Sequence, residues 1–258
     1  QRFLPRARQT LRTFGDGTEE IAAIKRSDFG RVKIGIYLSI ASGFLAELIG
    51  LYADRHPKVQ IDLIEDNPAD QAAAIRRMQL DAAFLTGQRT WRDCETLPLW
   101  SERVFAVLPR DHVLAGHGEL EWQHLADENF IVNEAGPGQE IHDFLVQRLA
   151  AFGYHPQIRV HHIGRENLLP LVALNRGLTV VSEAMTAARF PGIAYRPIAG
   201  EVLPFSAVSS PKNDNPALRQ LLDLARSLSG ARETAAVTRP VLQIDVSAGS
   251  SQSPDRLQ

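Results

Sequence analysis

The sequence predicts an α/β protein folded as two lobes. Strand and helix patterns alternate as β-α-β-α-β from Arg31 to Leu85. A second alternating set starts near Arg110, and the last strand and helix match the first set better than the second. Such alternation implies parallel strands joined by crossover helices. A chain that leaves one lobe, builds another and returns needs two crossover strands, which are expected near Val107–Asp111 and Ile198–Leu203.

Each element has its own pattern. In RVKIGIYL (31–38), Val32, Ile34 and Ile36 fall on one face of a strand. SIASGFLAELIGLYADRHP reads as a helix ended by Pro57, VQIDLIE as a second strand, and PADQAAAIRRMQL as a short helix with Pro68 at its start. DAAFL is a third strand and ETLPLWSERVFAVLP a longer extended segment. In the second set, NFIVN and QIRVHHI read as strands, 139–152 as a helix closed by Gly153, RENLLPLVALNRG as a helix ended by Gly177, and LTVVS as a strand. IAYRPI leads back out, LPFSAVSSP is a strand, and NPALRQLLDLARSL is a helix opened by Asn215 and Pro216. Lobe I is therefore expected at 31–109 and 201–230, and lobe II at 110–200.

The two ends differ from the body. In 1–27, Leu4, Ala7, Leu11, Phe14, Thr18, Ile21 and Lys25 recur at spacings of three and four, a heptad seam. That seam fits either a helix packed on its own chain or a connector to a second chain. The missing initiating Met predicts that the true beginning lies upstream. Residues 231–258 contain no aromatic side chain and end in a Ser/Gly/Pro-rich stretch, which predicts disorder.

Composition narrows the chemistry. With 258 residues, 44% of them hydrophobic, the chain has enough apolar material for a substantial core. The formal net charge of −2 gives no bulk attraction to nucleic acid or an anionic membrane. Its one cysteine, Cys94, excludes an internal disulfide and a thiolate zinc cluster, and suits the cytoplasm. No apolar run reaches the roughly 18 residues that a membrane helix needs.

The stretch NEAGPGQEIHDFLVQRLAAFG raises the question of function. Gly136 and Gly138 fit the start of a dinucleotide fingerprint, but Ile141 stands at the third glycine position and no acidic residue follows at the required distance. A phosphate loop needs Gly-Lys-Ser/Thr, which is absent. There is no G-x-S-x-G turn and no H-E-x-x-H, and His161 and His162, adjacent on a strand, point to opposite faces. Glu65-Asp66 precedes a helix, where the dipole favours acids. No catalytic constellation, metal site or cofactor is expected.

Three turns remain, each after a strand and before a helix: Ser39-Ile40, Asn67-Pro68 and Gly136-Pro137-Gly138. In parallel sheets such turns lie at the carboxyl edge, where ligands bind. The glycine-rich turn is then either one jaw of a cleft or a turn that only starts a helix.

Taken in order, RVKIGIYLSIASGFLAELIGLYADRHPKVQIDLIED, LDAAFL, LPLWSERVFAVLPRDHVLA and LVALNRGLTVVSEA resemble the effector-binding domain of LysR-type transcriptional regulators, with SIASGFL closest to the branch that senses aromatic compounds. RFLPRARQTL looks like the end of that family's linker helix. The resemblance covers about residues 1–230. It implies a periplasmic-binding-protein-like (type II) fold with a small organic acid or aromatic effector between the lobes. It also implies a homodimer or tetramer, contact with operator DNA only through a winged helix-turn-helix outside this chain, and no enzymatic activity. Carried over by position, the effector site comprises Ser39, Ile40, Asn67, Pro68, Thr86, Gly136, Pro137, Gly138, Gln139 and Ile141, with Arg165 as counter-charge. Pro68 stands where aromatic-sensing members often carry a threonine, and Thr86 where muconate-sensing members carry an arginine; these departures argue against muconate itself. A transporter's solute-binding protein and an enzyme on a related two-lobed fold are the alternatives.

Overall fold

The computed structural model describes residues 30–37, 39–134 and 137–238, with the side chains of Arg165 and 233–238 excepted. The expected linker helix at 1–27, Gly136, and 239–258 lie outside the described residues.

In lobe I, β1 (Gly30–Ile36) leads through α1 (Gly43–Arg55) to β2 (Val59–Glu65), and α2 (Pro68–Arg76) leads to β3 (Ala82–Thr86). β1 pairs in parallel with both β2 and β3, as right-handed crossovers require. β4 (Glu95–Pro109) then carries the chain into lobe II. There β5 (Asn129–Asn133), α3 (Gly138–Ala150), β6 (Gln157–His161), α4 (Arg165–Ala173) and β7 (Thr179–Ser182) follow. β8 (Ile193–Ser209) returns the chain, and α5 (Pro216–Thr238) packs on lobe I. One sheet runs β2-β1-β3-β8-β4-β7; β5 pairs with β6 and touches the β7 side through a Phe130–Leu178 bridge.

The two long antiparallel strands join the lobes. Glu95–Arg103 pairs with Val202–Ser209 in lobe I, and Phe105–Pro109 pairs with Ile193–Pro197 in lobe II. Register shifts between Arg103 and Phe105, so the first passage lies there and not at Val107–Asp111. Val104, Ala106 and Leu108 pack in the lobe II core, and no turn residue in that apolar run marks the change of core. In β8, Gly200 has φ +69°, a left-handed conformation that only glycine takes without strain, and it lies in the interval where the strand changes lobes. IAYRPI and LPFSAVSSP, read as separate pieces, form one strand. The last helix also runs past Gly230 to Thr238, so 231–238 is helical, not part of a disordered tail.

Each lobe has its own apolar core. Val32, Ile34, Phe44, Leu48, Phe84 and Leu221 centre the first, and Leu108, Leu120, Phe130, Val132, Leu145 and Leu149 the second. Tyr52 is fully buried in the first; its hydroxyl donates to the Ala217 carbonyl at 2.8 Å, and burial pushes the phenol up to about 12. Among the described residues no helix is long and apolar enough to cross a membrane.

Candidate functional site

The carboxyl ends of β1, β3 and β5 face one cavity of about 360 Å³ between the lobes. That is within the usual size of small-molecule sites, and most of its surface is apolar, as such sites are. Lobe I contributes Tyr37, Ser39 and Thr86 from strand ends and Phe205 from β8. Lobe II contributes Asn133 at the end of β5, the α3 face Glu140, Ile141, Phe144 and Gln147, Leu168 and Leu169 of α4, and Thr179 to Ser182 of β7.

The wall at α3 follows from local packing. Gly138 opens the helix against the end of β5; a Cβ there would stand 1.6 Å from the Asn133 carbonyl oxygen. The glycine thus lets two backbones touch. About two and three turns on, Leu145 and Leu149 enter the core, while Ile141 and Phe144 pack on its margin and line the cavity. Glu140 lies beside them. Burial, with the nearby Asp143 carboxylate adding to it, pushes its carboxyl up from 4.5 to about 7. Thr179 is 1% exposed, and its hydroxyl has no hydrogen-bond partner among the described residues.

The lobes are tied at the base of the cavity. Trp100 stacks between Phe44 and Phe205, with ring centroids 4.4 and 4.9 Å away. Its Nε1 donates to Glu102 at 2.9 Å, and the same buried carboxylate accepts the Ala184 N–H at 3.1 Å. Ser42 Oγ donates to the Ala184 carbonyl at 2.9 Å, and Arg103 meets Glu183 at 2.7 Å. That guanidinium holds the Glu183 carboxyl below its usual range.

Ser39, Thr86, Pro137 and Ile141 line the cavity, whereas Ile40, Asn67, Pro68, Gly138 and Gln139 stand elsewhere and Gly136 is outside the described residues. Ile40 is 41% exposed, because the helix starts at Gly43 and not at Ile40. Asn67 caps α2, its Oδ1 accepting the Asp70 N–H at 2.9 Å, and Pro68 fills the first helical position. Gly138 is buried against Asn133, and Gln139 turns outward, its Nε2 donating to Asp143 at 2.9 Å. Arg165 opens α4, and its side chain lies outside the described atoms. Tyr37, Asn133, Glu140, Gln147 and Thr179 escaped the sequence reading. Glu140, Phe144 and Gln147 recur at helical spacing, which marks a face, but nothing local shows which face meets the cleft. Among the described residues, no group of His, Cys, Asp and Glu is arranged to hold a metal ion.

The fold has solved counterparts. Full-length CbnR bound to its target DNA superposes with a TM-score of 0.76 at 18% identity, over 88% of this chain and 78% of that one. The effector-binding domain of BenM with benzoate gives 0.69 at 20% identity, over 82% and 96%. Among curated proteins, the HTH-type transcriptional regulator XapR of Escherichia coli (strain K12) is 22% identical over 203 residues, 76% of this chain and 66% of that protein. The chain spans about half to two thirds of the length of the first such relatives. A model of the LysR substrate binding domain matches residues 25–229, most of the chain, and the chain belongs to that family.

Proposed function

We propose that this chain is the effector-sensing part of a cytoplasmic LysR-type transcriptional regulator, in the branch that responds to aromatic compounds. It is a regulator and not an enzyme. A small organic acid or aromatic molecule binds between the lobes, and a winged helix-turn-helix elsewhere in the full protein meets operator DNA. Homodimers or tetramers carry the signal. The observation behind this reading is the cavity itself: both lobes wall it, and two long strands together with a small polar cluster, Ser42, Glu102 and Arg103 on Glu183 and Ala184, join them. A ligand touching both walls favours one lobe arrangement by its difference in affinity for the two.

A thermal-shift screen of aromatic acids, phenols, amines and their breakdown products tests this. A ligand at about 100 times its Kd adds about 2.7 kcal/mol of apparent stability. Its NMR shifts should centre on Ser39, Thr86, Ile141 and Phe144. Binding confined to another surface would overturn the reading.

A further inference from the structure

The cavity has an uneven charge pattern. Its described lining contains no lysine, arginine or histidine; its ionisable groups are Tyr37, Glu140 and Asp143. Asp143 is engaged: Oδ1 accepts from Gln139 at 2.9 Å and lies 3.2 Å from His142 Nδ1. Glu140 has no hydrogen bond or ion pair to another described side chain. An acid withdrawn from water without a partner resists ionisation, which is why its carboxyl stands near 7. Polar groups withdrawn from water are normally paired, so an unpaired acid lining a cavity marks where a ligand atom belongs.

We infer that the effector presents a positively charged nitrogen, an amine or amidine on an apolar or aromatic body, to Glu140. The inference rests on the cleft being the effector site. The cavity, about 360 Å³, is more than twice the ~150 Å³ that holds one benzene, leaving room for a ring and a short arm. Phe144 and Phe205 supply flat apolar surface from the two lobes. A carboxylate near Glu140 would add a like charge to Glu140 and Asp143. If the effector is also an acid, its carboxylate belongs at the far wall, by Ser39.

The test uses this chain with matched fragments: benzylamine, benzamidine, benzyl alcohol and benzoate, by calorimetry and NMR at about pH 8. The amine and amidine should bind in the cavity about ten- to a hundredfold more tightly than the alcohol, as one charge-assisted hydrogen bond provides. Glu140→Gln, close in shape, should erase that advantage. Benzylamine affinity should fall toward about pH 5.5, where Glu140 is neutral. The other titratable groups facing Glu140 there are Asp143 on the same helix and Tyr37 at the end of β1. Benzyl alcohol or benzoate binding the cavity as tightly as the amines would overturn the inference and leave the cleft reading standing. So would amine binding unchanged in Glu140→Gln. Shifts mapping only outside the cavity, or no fragment binding at about 10 mM, would overturn both.

Discussion

The two walls of the cleft are built differently. Lobe I offers Tyr37, Ser39 and Thr86, neutral hydroxyls at the ends of strands in one sheet. Lobe II offers Glu140 and Asp143 on one face of a helix, above a largely apolar floor. Thr86 ends a strand paired on both sides, while Tyr37 and Ser39 follow directly on another such strand, so the first wall is placed by the sheet. The helix face is placed by a single close contact at its start and by two core leucines. Shape is thus set on one side of the cleft, and charge on the other.

The comparison breaks most severely at Gly138. Gly138→Ala would drive a Cβ to 1.6 Å from the Asn133 carbonyl oxygen, and neither backbone can retreat without moving α3 or β5. Urea unfolding should show a loss of at least about 3 kcal/mol, beyond ordinary overpacking because the clash is with backbone. A loss below about 1 kcal/mol would mean that the helix wall shifts freely.

Next comes the tie between the walls. Glu102 is 6% exposed and serves Trp100 Nε1 and the Ala184 N–H together. Glu102→Ala leaves two buried donors unpaired and should cost about 2–3 kcal/mol in the same measurement. A neutral result would show that the Ser42–Ala184 and Arg103–Glu183 contacts suffice to hold the lobes.

These sites also show what the sequence makes legible. Strands in which Val32, Ile34 and Ile36, or Phe130 and Val132, share a face announce themselves, since alternation is a local property. The continuity of β8 does not, because Pro197, Gly200 and Pro204 all resemble breaks until β4 pairs across them. The start of α1 was read too early because Ser42, at the cap position, gives its hydroxyl to Ala184 in the other lobe. The last helix, whose pattern reads only to Leu228, runs on to Thr238. In the site, Ser39 and Thr86 were reachable because strand ends are sequence features. Glu140 was not, since an unpaired acid is recognised only relative to a cavity.

The third prediction concerns that acid alone. The Glu140 carboxyl is raised from 4.5 to about 7, so the folded state favours the protonated form. Below the lower value both states are protonated and folding carries no penalty; above the upper value the folded chain must hold the ionised group. Stability contributed by the protonated form is therefore lost as pH rises through that window. Glu140→Gln should raise stability at about pH 8 by about 1 kcal/mol, partial solvent access lowering the figure, or about 2–4 °C in Tm. At about pH 4 the variant and parent should melt together. An equal gain at both pH values would assign the effect to packing.

Ser39→Ala should have the smallest effect, and it sharpens the comparison of the walls. Ser39 Oγ accepts the Ala41 N–H at 3.1 Å in a half-exposed turn, so water can replace it. Thermal unfolding should change by less than about 0.5 kcal/mol. For a bound effector the hydroxyl is a neutral partner, contributing about 0.5–1.5 kcal/mol, which is roughly two- to tenfold in affinity. Glu140→Gln should cost an amine more than that. Calorimetry on both variants with the same effector therefore ranks the walls directly. If Ser39→Ala proves the more damaging, the neutral wall carries recognition, and the effector's charged group is an anion held at the start of α1.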